Sequence, residues 1–295
     1  MQISTENTKI GFIGTGVMGK SMASNLLAAG FQLIIYTRTK HKADDLLEKG
    51  AKWASTVEEV AENADVIFTI VGFPSDVEEI YLGENGLLHH AKESSYLIDM
   101  TTSKPLLAEK IAAAGKKKNV HVLDAPVSGG DIGARNGKLA IMIGGEQEAY
   151  HTLLPLFEIM GENIQLQGPA GAGQHTKMAN QITIASNMIG VCEAIRYAQK
   201  AGLDPTKVIA SISTGAAGSW SLTNLAPRMV ADDYAPGFFI KHFIKDMTIA
   251  LESAKDMGLT TPGLELSLQL YQEVAQDGEE NSGTQALIKW FTKEE

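Results

Sequence analysis

Short apolar runs alternate with helix-period segments through the first half of the chain, and the alternation stops near residue 168. Lys9–Ile13, Gln32–Tyr36, Val66–Val71, Tyr96–Asp99 and Val120–Asp124 are short, apolar and often β-branched, the pattern of strands buried on both faces. Between them, helical spacing predicts Lys20–Ala29, closed by Gly30, then Lys40–Lys49, Val57–Asn63 and Pro105–Ala114. Leu139–Ile143 and Ile164–Leu166 read as further strands flanking a helix at Glu146–Met160. Strand and helix in strict alternation imply right-handed crossovers and a doubly wound, mainly parallel sheet.

The pattern changes after the glycine-rich stretch Gly168 to Gly173. Gln174–Ala201 carries apolar residues at helical spacing over about 28 residues, long enough to span a small domain. Pro205–Ser213, Leu222–Val230, Lys241–Lys255 and Leu264–Gln276 read as helices separated by glycine and proline turns. The chain is therefore expected to be α/β over 1–168 and all-α over 169–295. Met178, Met188, Ile189, Phe238, Phe239 and Phe243 make the second part apolar enough to expect some of them to face a partner subunit.

Composition narrows the function classes. The 295 residues are 44% hydrophobic and 20% charged, as in a globular protein. A net charge of −10 argues against a nucleic-acid partner or an anionic membrane surface. The one cysteine, Cys192, permits no intrachain disulfide, no signal peptide is recognisable, and no apolar run reaches membrane-spanning length, so a cytoplasmic location is expected. The histidines form neither H-E-x-x-H nor a Cys/His ligand set, so no metal is expected.

The first chemistry-bearing motif sits directly behind the first strand. Gly14, Gly16 and Gly19 form G-x-G-x-x-G in Gly14-Thr15-Gly16-Val17-Met18-Gly19. The first glycine permits a tight turn, the second lets backbone approach a pyrophosphate, and the third lets helix and strand pack closely. The helix N-terminus then offers free N–H groups to the anion. The next strand ends in Thr37-Arg38-Thr39, with Arg38 where an acid would hold a ribose 2′-hydroxyl. An arginine there favours a 2′-phosphate, so NADP is expected over NAD.

Three later segments carry candidate chemistry. Ser128, Gly129 and Gly130 form a glycine-dense loop after a strand, offering N–H groups and a hydroxyl to a small anion. Lys177, Asn180 and Gln181 share one helix face at i, i+3 and i+4. Phe239 to Met247 holds a basic cluster that includes Lys245.

Taken together, Gly11–Gly30, Asp124–Gly145, Gly171–Gln181 and the Lys245-Asp246 segment closely resemble, in order, the β-hydroxyacid dehydrogenase family. That family includes 3-hydroxyisobutyrate dehydrogenase and tartronate semialdehyde reductase. The resemblance implies an N-terminal Rossmann domain, an all-helical C-terminal domain for substrate and oligomer contacts, and an active site in the cleft between them. By matching position it implies Lys177 as the catalytic acid–base, Asn180 as a substrate-orienting residue, and Ser128, Gly129 and Gly130 as the carboxylate loop. Thr102 matches the threonine beside the nicotinamide ribose, and Lys245 a cofactor-contacting lysine. Gln181 follows the tartronate semialdehyde reductase pattern, whereas Trp220 in Ala217–Ser221 offers a substrate wall like that of the hydroxyisobutyrate branch. The resemblance further implies a small carboxylate substrate and a homodimer or homotetramer. A non-catalytic cofactor-binding scaffold is the rival of another class, and Lys177 speaks against it.

Overall fold

A computed structural model describes residues 1–293 and divides into two compact units, Met1–Lys177 and Met178–Glu295. In the first unit, β1 (Lys9–Ile13), β2 (Gln32–Tyr36), β3 (Lys52–Trp53), β4 (Val66–Thr69), β5 (Tyr96–Asp99) and β6 (His121–Asp124) are parallel and ordered 3-2-1-4-5-6. β7 (Val127–Ser128) and β8 (Leu139–Gly144) extend that sheet, β8 antiparallel to both β6 and β7. β9 (Gly161–Gly168) then pairs parallel with β8. This is the expected doubly wound, mainly parallel sheet.

Alternation along β1 sets the two faces. Ile10 and Phe12 pack with Met22 and Leu26 of α1 (Val17–Ala28) and with Leu153 and Phe157 of α8 (Gln147–Met160). Ile13 points the other way, into a cluster with Val60 of α3 (Val57–Asn63) and Ile111 of α6 (Pro105–Lys116). Gly11 faces α3 so closely that a Cβ there would stand 2.6 Å from Val60 Cγ1.

Several elements differ from expectation. α1 begins at Val17, so Gly19 lies inside the helix rather than before it. Lys40–Lys49 is a 3-10 turn (Lys40–Ala43) followed by α2 (Asp44–Glu48). α4 (Pro74–Leu82) and α5 (Leu87–His90) were not anticipated; a proline opens the first and the second is a single turn. The loop after β7 forms α7 (Gly130–Arg135), which its glycines disguise as irregular.

The second unit is helical. α9 (Ala172–Lys200) begins in the first unit and continues in the second. It is followed by α10 (Pro205–Ile212), α11 (Trp220–Asn224), α12 (Ala226–Val230), α13 (Ile240–Asp256) and α14 (Pro262–Val274). Leu225 interrupts the expected Leu222–Val230 helix, and Thr284–Thr292 adds a 3-10 segment. Met188, Phe243, Met247 and Tyr271 are sealed in this unit's own core, with Phe243 and Tyr271 edge-on at 5.1 Å. Met178 is 4% exposed and joins the same core. Met178, Met188 and Phe243 are therefore withdrawn as partner-facing residues; helix packing within the unit consumes them. Cys192 is fully buried in this core, and burial raises its thiol pKa above the ordinary value. No helix among the described residues is long and apolar enough to cross a membrane.

Candidate active site

The carboxyl ends of the parallel strands carry the Gly14–Gly19 turn. Gly14 adopts φ +95°, and its N–H donates to Tyr36 O at 2.9 Å. A Cβ on Gly14 would stand 2.0 Å from Ile70 O, and one on Gly19 would stand 2.0 Å from Gly14 O. The turn is thus closed around the bare backbone of both residues. Gly16 is the opposite case: a Cβ there meets nothing within 4 Å. It is also the N-cap of α1, whose first turn has neither a side-chain cap nor an acidic residue.

Uncapped N–H groups and an open approach at Gly16 suit a pyrophosphate. Thr15 Oγ1 is buried in the same turn without a hydrogen-bond partner. Val17 is exposed, Met18 is half-buried, and neither is charged. These residues fit a dinucleotide.

One strand over, Thr37 and Thr39 are half-buried while the Arg38 side chain is 77% exposed. Its Nη1 donates to Asp76 Oδ1 at 3.1 Å, and Asp76 Oδ2 accepts the Phe73 N–H at 3.1 Å. Asp76 thereby ties the arginine to the start of α4 and leaves most of its fork in solvent. Beyond β5, Thr101 N–H donates to Asp99 Oδ1 at 2.9 Å and Thr101 Oγ1 accepts Val71 N–H at 3.0 Å. Thr102 follows, half-buried.

Lys177 lies on the first turns of α9, 6% exposed, and its Nζ donates to Val127 O at 2.8 Å. Val127 precedes Ser128, so the ammonium is tied to the strand that opens the glycine loop. Gly129 and Gly130 adopt φ +127° and +64°, which a side chain rarely tolerates. Asp124 holds the start of α9: Oδ1 accepts Gly171 N–H and Oδ2 accepts Gln174 N–H, each at 2.8 Å. Burial raises the Asp124 carboxyl pKa above its ordinary value, against the pull of those backbone N–H groups.

In the second unit, Asn180 Nδ2 donates to Gln181 Oε1 at 2.7 Å, and Gln181 Nε2 donates to Asp246 Oδ2 at 2.7 Å. Lys245 Nζ lies 2.9 Å from Asp246 Oδ1. Three residues predicted from two separate motifs, Asn180, Gln181 and Lys245, are thus joined through the buried Asp246, the amides by hydrogen bonds and the lysine by an ion pair. Trp220 opens α11 and is 54% exposed, so it is no part of the helical core.

Sequence reasoning passed over Asp76, Asp124 and Gln174 and gave Asp246 no role. Asp124 had a visible signal, an acid ending an apolar strand before a glycine-dense loop. Away from these groups, Glu58, Glu62 and His90 bring potential ligand atoms within 4.8 Å of one another, partly exposed.

Comparisons with known proteins follow the two parts of the chain. Residues 9–168 match the model of the NAD-binding domain of 6-phosphogluconate dehydrogenase, and residues 171–291 match that of the NAD-binding domain of NADP-dependent 3-hydroxyisobutyrate dehydrogenase. An uncharacterized oxidoreductase of Bacillus subtilis is 63% identical over 96% of this chain and 99% of its own length. A probable mitochondrial 3-hydroxyisobutyrate dehydrogenase-like protein of Arabidopsis thaliana is 50% identical over 97% of this chain and 86% of its own. The 2-hydroxy-3-oxopropionate reductase of Escherichia coli is 40% identical over 95% and 96%. Among solved structures, a protein in complex with NADP+ and 2-OPP superposes with a TM-score of 0.87 at 27% identity, covering 97% of this chain and all of that one.

Proposed function

Since the chain belongs to the β-hydroxyacid dehydrogenase family of NAD(P)-dependent oxidoreductases, we propose that it transfers a hydride between NADP and a small 3-hydroxy acid or its semialdehyde. The observation that carries this reading is the buried Lys177 ammonium, held 2.8 Å from Val127 O beside Ser128-Gly129-Gly130. Bound nicotinamide supplies the hydride acceptor in oxidation and the hydride donor in reduction.

Gly14 closes the turn, and Thr15, Gly16, Val17, Met18 and Gly19 bind the pyrophosphate through backbone N–H groups and the open approach at Gly16. Arg38, with Thr37 and Thr39, receives the 2′-phosphate of NADP, while NAD remains the weaker alternative. Thr102 and Lys245 contact the rest of the cofactor. Ser128, Gly129 and Gly130 bind the substrate carboxylate, with Asn180, Gln181 and Trp220 orienting and walling the substrate. Lys177 accepts the hydroxyl proton in oxidation; in reduction its ammonium gives that proton to the carbonyl oxygen.

Residues 1–168 form the cofactor domain in this reading and 169–295 the substrate and oligomer domain. A cytoplasmic homodimer or homotetramer is the proposed form, supported by the exposed Tyr197, Leu203 and Leu259. Gln181 favours a second substrate branch, reduction of tartronate semialdehyde or another small semialdehyde.

The test is oxidation of NADPH and NADH against methylmalonate, tartronate and succinate semialdehydes and glyoxylate, with Lys177→Ala alongside. Turnover that prefers NADPH and disappears in the variant supports the reading and identifies the branch. Tight NADPH binding without turnover of any substrate supports the scaffold instead.

A further inference from the structure

Gln174 is completely buried, and its carboxamide and its backbone N–H all engage distant parts of the first unit. Its Oε1 accepts the Ser103 N–H at 2.9 Å, and its Nε2 donates to Thr101 O at 2.7 Å. One carboxamide therefore grips the two residues on either side of Thr102. Its backbone N–H donates to Asp124 Oδ2 at 2.8 Å, so the same residue is fixed to the end of β6.

The surroundings leave little slack. A Cβ on Gly173 would stand 2.4 Å from Met142 O, and one on Gly144 would stand 2.5 Å from Asp124 Oδ1. Thr101 is itself held from two sides, by Asp99 and by Val71. Lys177 follows Gln174 by three residues on α9, about 4.5 Å along the helix axis and on a neighbouring part of its surface.

We infer that Gln174 is a positioning residue that sets Lys177 in register with Thr102, through the paired hydrogen bonds of its carboxamide to Thr101 and Ser103. This deepens the functional reading above and rests on it: Thr102 is the residue proposed beside the cofactor, and Lys177 the proposed proton carrier. The chemistry requires an amide. A carboxamide accepts from an N–H and donates to a carbonyl at once; an ionised carboxylate only accepts, and a thioether does neither well.

The test uses the full chain with Gln174→Met, which keeps the length and removes the amide, and Gln174→Glu. For Gln174→Met the expected result is a fall in kcat of about 10²-fold, as a misplacement of around 1 Å can produce. NADPH affinity, measured by its fluorescence on binding, stays near the wild-type value. Gln174→Glu gives the more specific signature. Its protonated acid can donate to Thr101 O and accept from Ser103 N–H, so kcat recovers at low pH and falls as the acid ionises, a step absent from the wild type.

Wild-type kcat in Gln174→Met overturns the inference. So does a parallel loss of kcat, NADPH affinity and melting temperature in both variants with no added pH step in Gln174→Glu, which marks a structural residue. If Gln174→Met does not fold, the pH profile of Gln174→Glu decides. If the wild type reduces none of the semialdehydes, the functional reading fails, and hydrogen exchange over residues 99–104 decides the positioning alone. Faster exchange confined to that segment in either folded variant supports it, and unchanged exchange overturns it.

Discussion

The Lys177 ammonium donates to the carbonyl oxygen of Val127 at 2.8 Å, across 50 residues of sequence. A helix and a two-residue strand are thereby joined at the residue before the glycine loop. Replacing Lys177 with alanine is expected to reduce kcat by about 10²–10⁴-fold, the usual contribution of a general acid–base group. NADPH affinity should persist, because the proposed pyrophosphate turn, Gly14–Gly19, lies on other elements. Steady-state kinetics together with a binding titration check both halves; near-normal turnover removes Lys177 from the mechanism.

Gly14, Gly16 and Gly19 are expected to separate by substitution. Gly14→Ala and Gly19→Ala force a methyl to 2.0 Å from a backbone oxygen and should cost about 1–3 kcal/mol or more of stability. Gly16→Ala places its methyl in open space at φ −71° and should melt like the wild type. Its defect should lie in cofactor affinity. Thermal melts with and without NADPH distinguish the cases, since a bound ligand raises the midpoint.

Arg38→Ala tests the cofactor preference. A charge-assisted hydrogen bond contributes about 1.5–3 kcal/mol, so the ratio of kcat/KM for NADPH to that for NADH should fall by roughly 10–150-fold. An unchanged ratio would show that the exposed guanidinium only serves its ion pair with Asp76.

Acid should loosen the C-terminal segment first through Glu279. Its hydrogen bond from Lys289 and, secondarily, that from Ser282 hold the Glu279 carboxyl pKa below the ordinary 4.5. A lowered folded-state value means the stabilisation is fully present above 4.5 and is lost as pH falls through that lowered value. The pair is partly exposed, so the effect should not exceed about 1 kcal/mol. Hydrogen exchange over Thr284–Thr292 during acidification measures it, and Glu279→Gln should reduce the pH dependence, leaving the share of Glu273, whose carboxyl pKa is lowered by its hydrogen bond from Trp290.

The elements visible in sequence were those with a local cause. Lys9–Ile13 through Asp124 read as strands because both faces are buried, and the tight turn before α1 announced itself through the spacing of Gly14, Gly16 and Gly19. Lys52–Trp53 is too short to show periodicity, and α7 is hidden by the glycines that begin it. The polar framework was less legible. Gln174 meets Ser103 and Thr101 across 71 and 73 residues, and Asp124 meets Gln174 across 50. Such pairings arise only when strand order brings distant turns together, and no local pattern encodes them. Asp246 was visible beside Lys245, but its bond to Gln181 spans 65 residues.

Cys192 offers the molecule an internal clock. The chain has one thiol, and it is sealed among the helices of the second unit. A thiol reagent in excess can mark only those molecules whose helices have come apart, so the labelling rate counts openings of that unit one molecule at a time. Trp53 stands in the first unit, and once Trp220 and Trp290 of the second are replaced by phenylalanine its fluorescence follows the first unit separately. Recorded together during denaturation, the two signals reveal whether the halves of the chain unfold in one event or in succession.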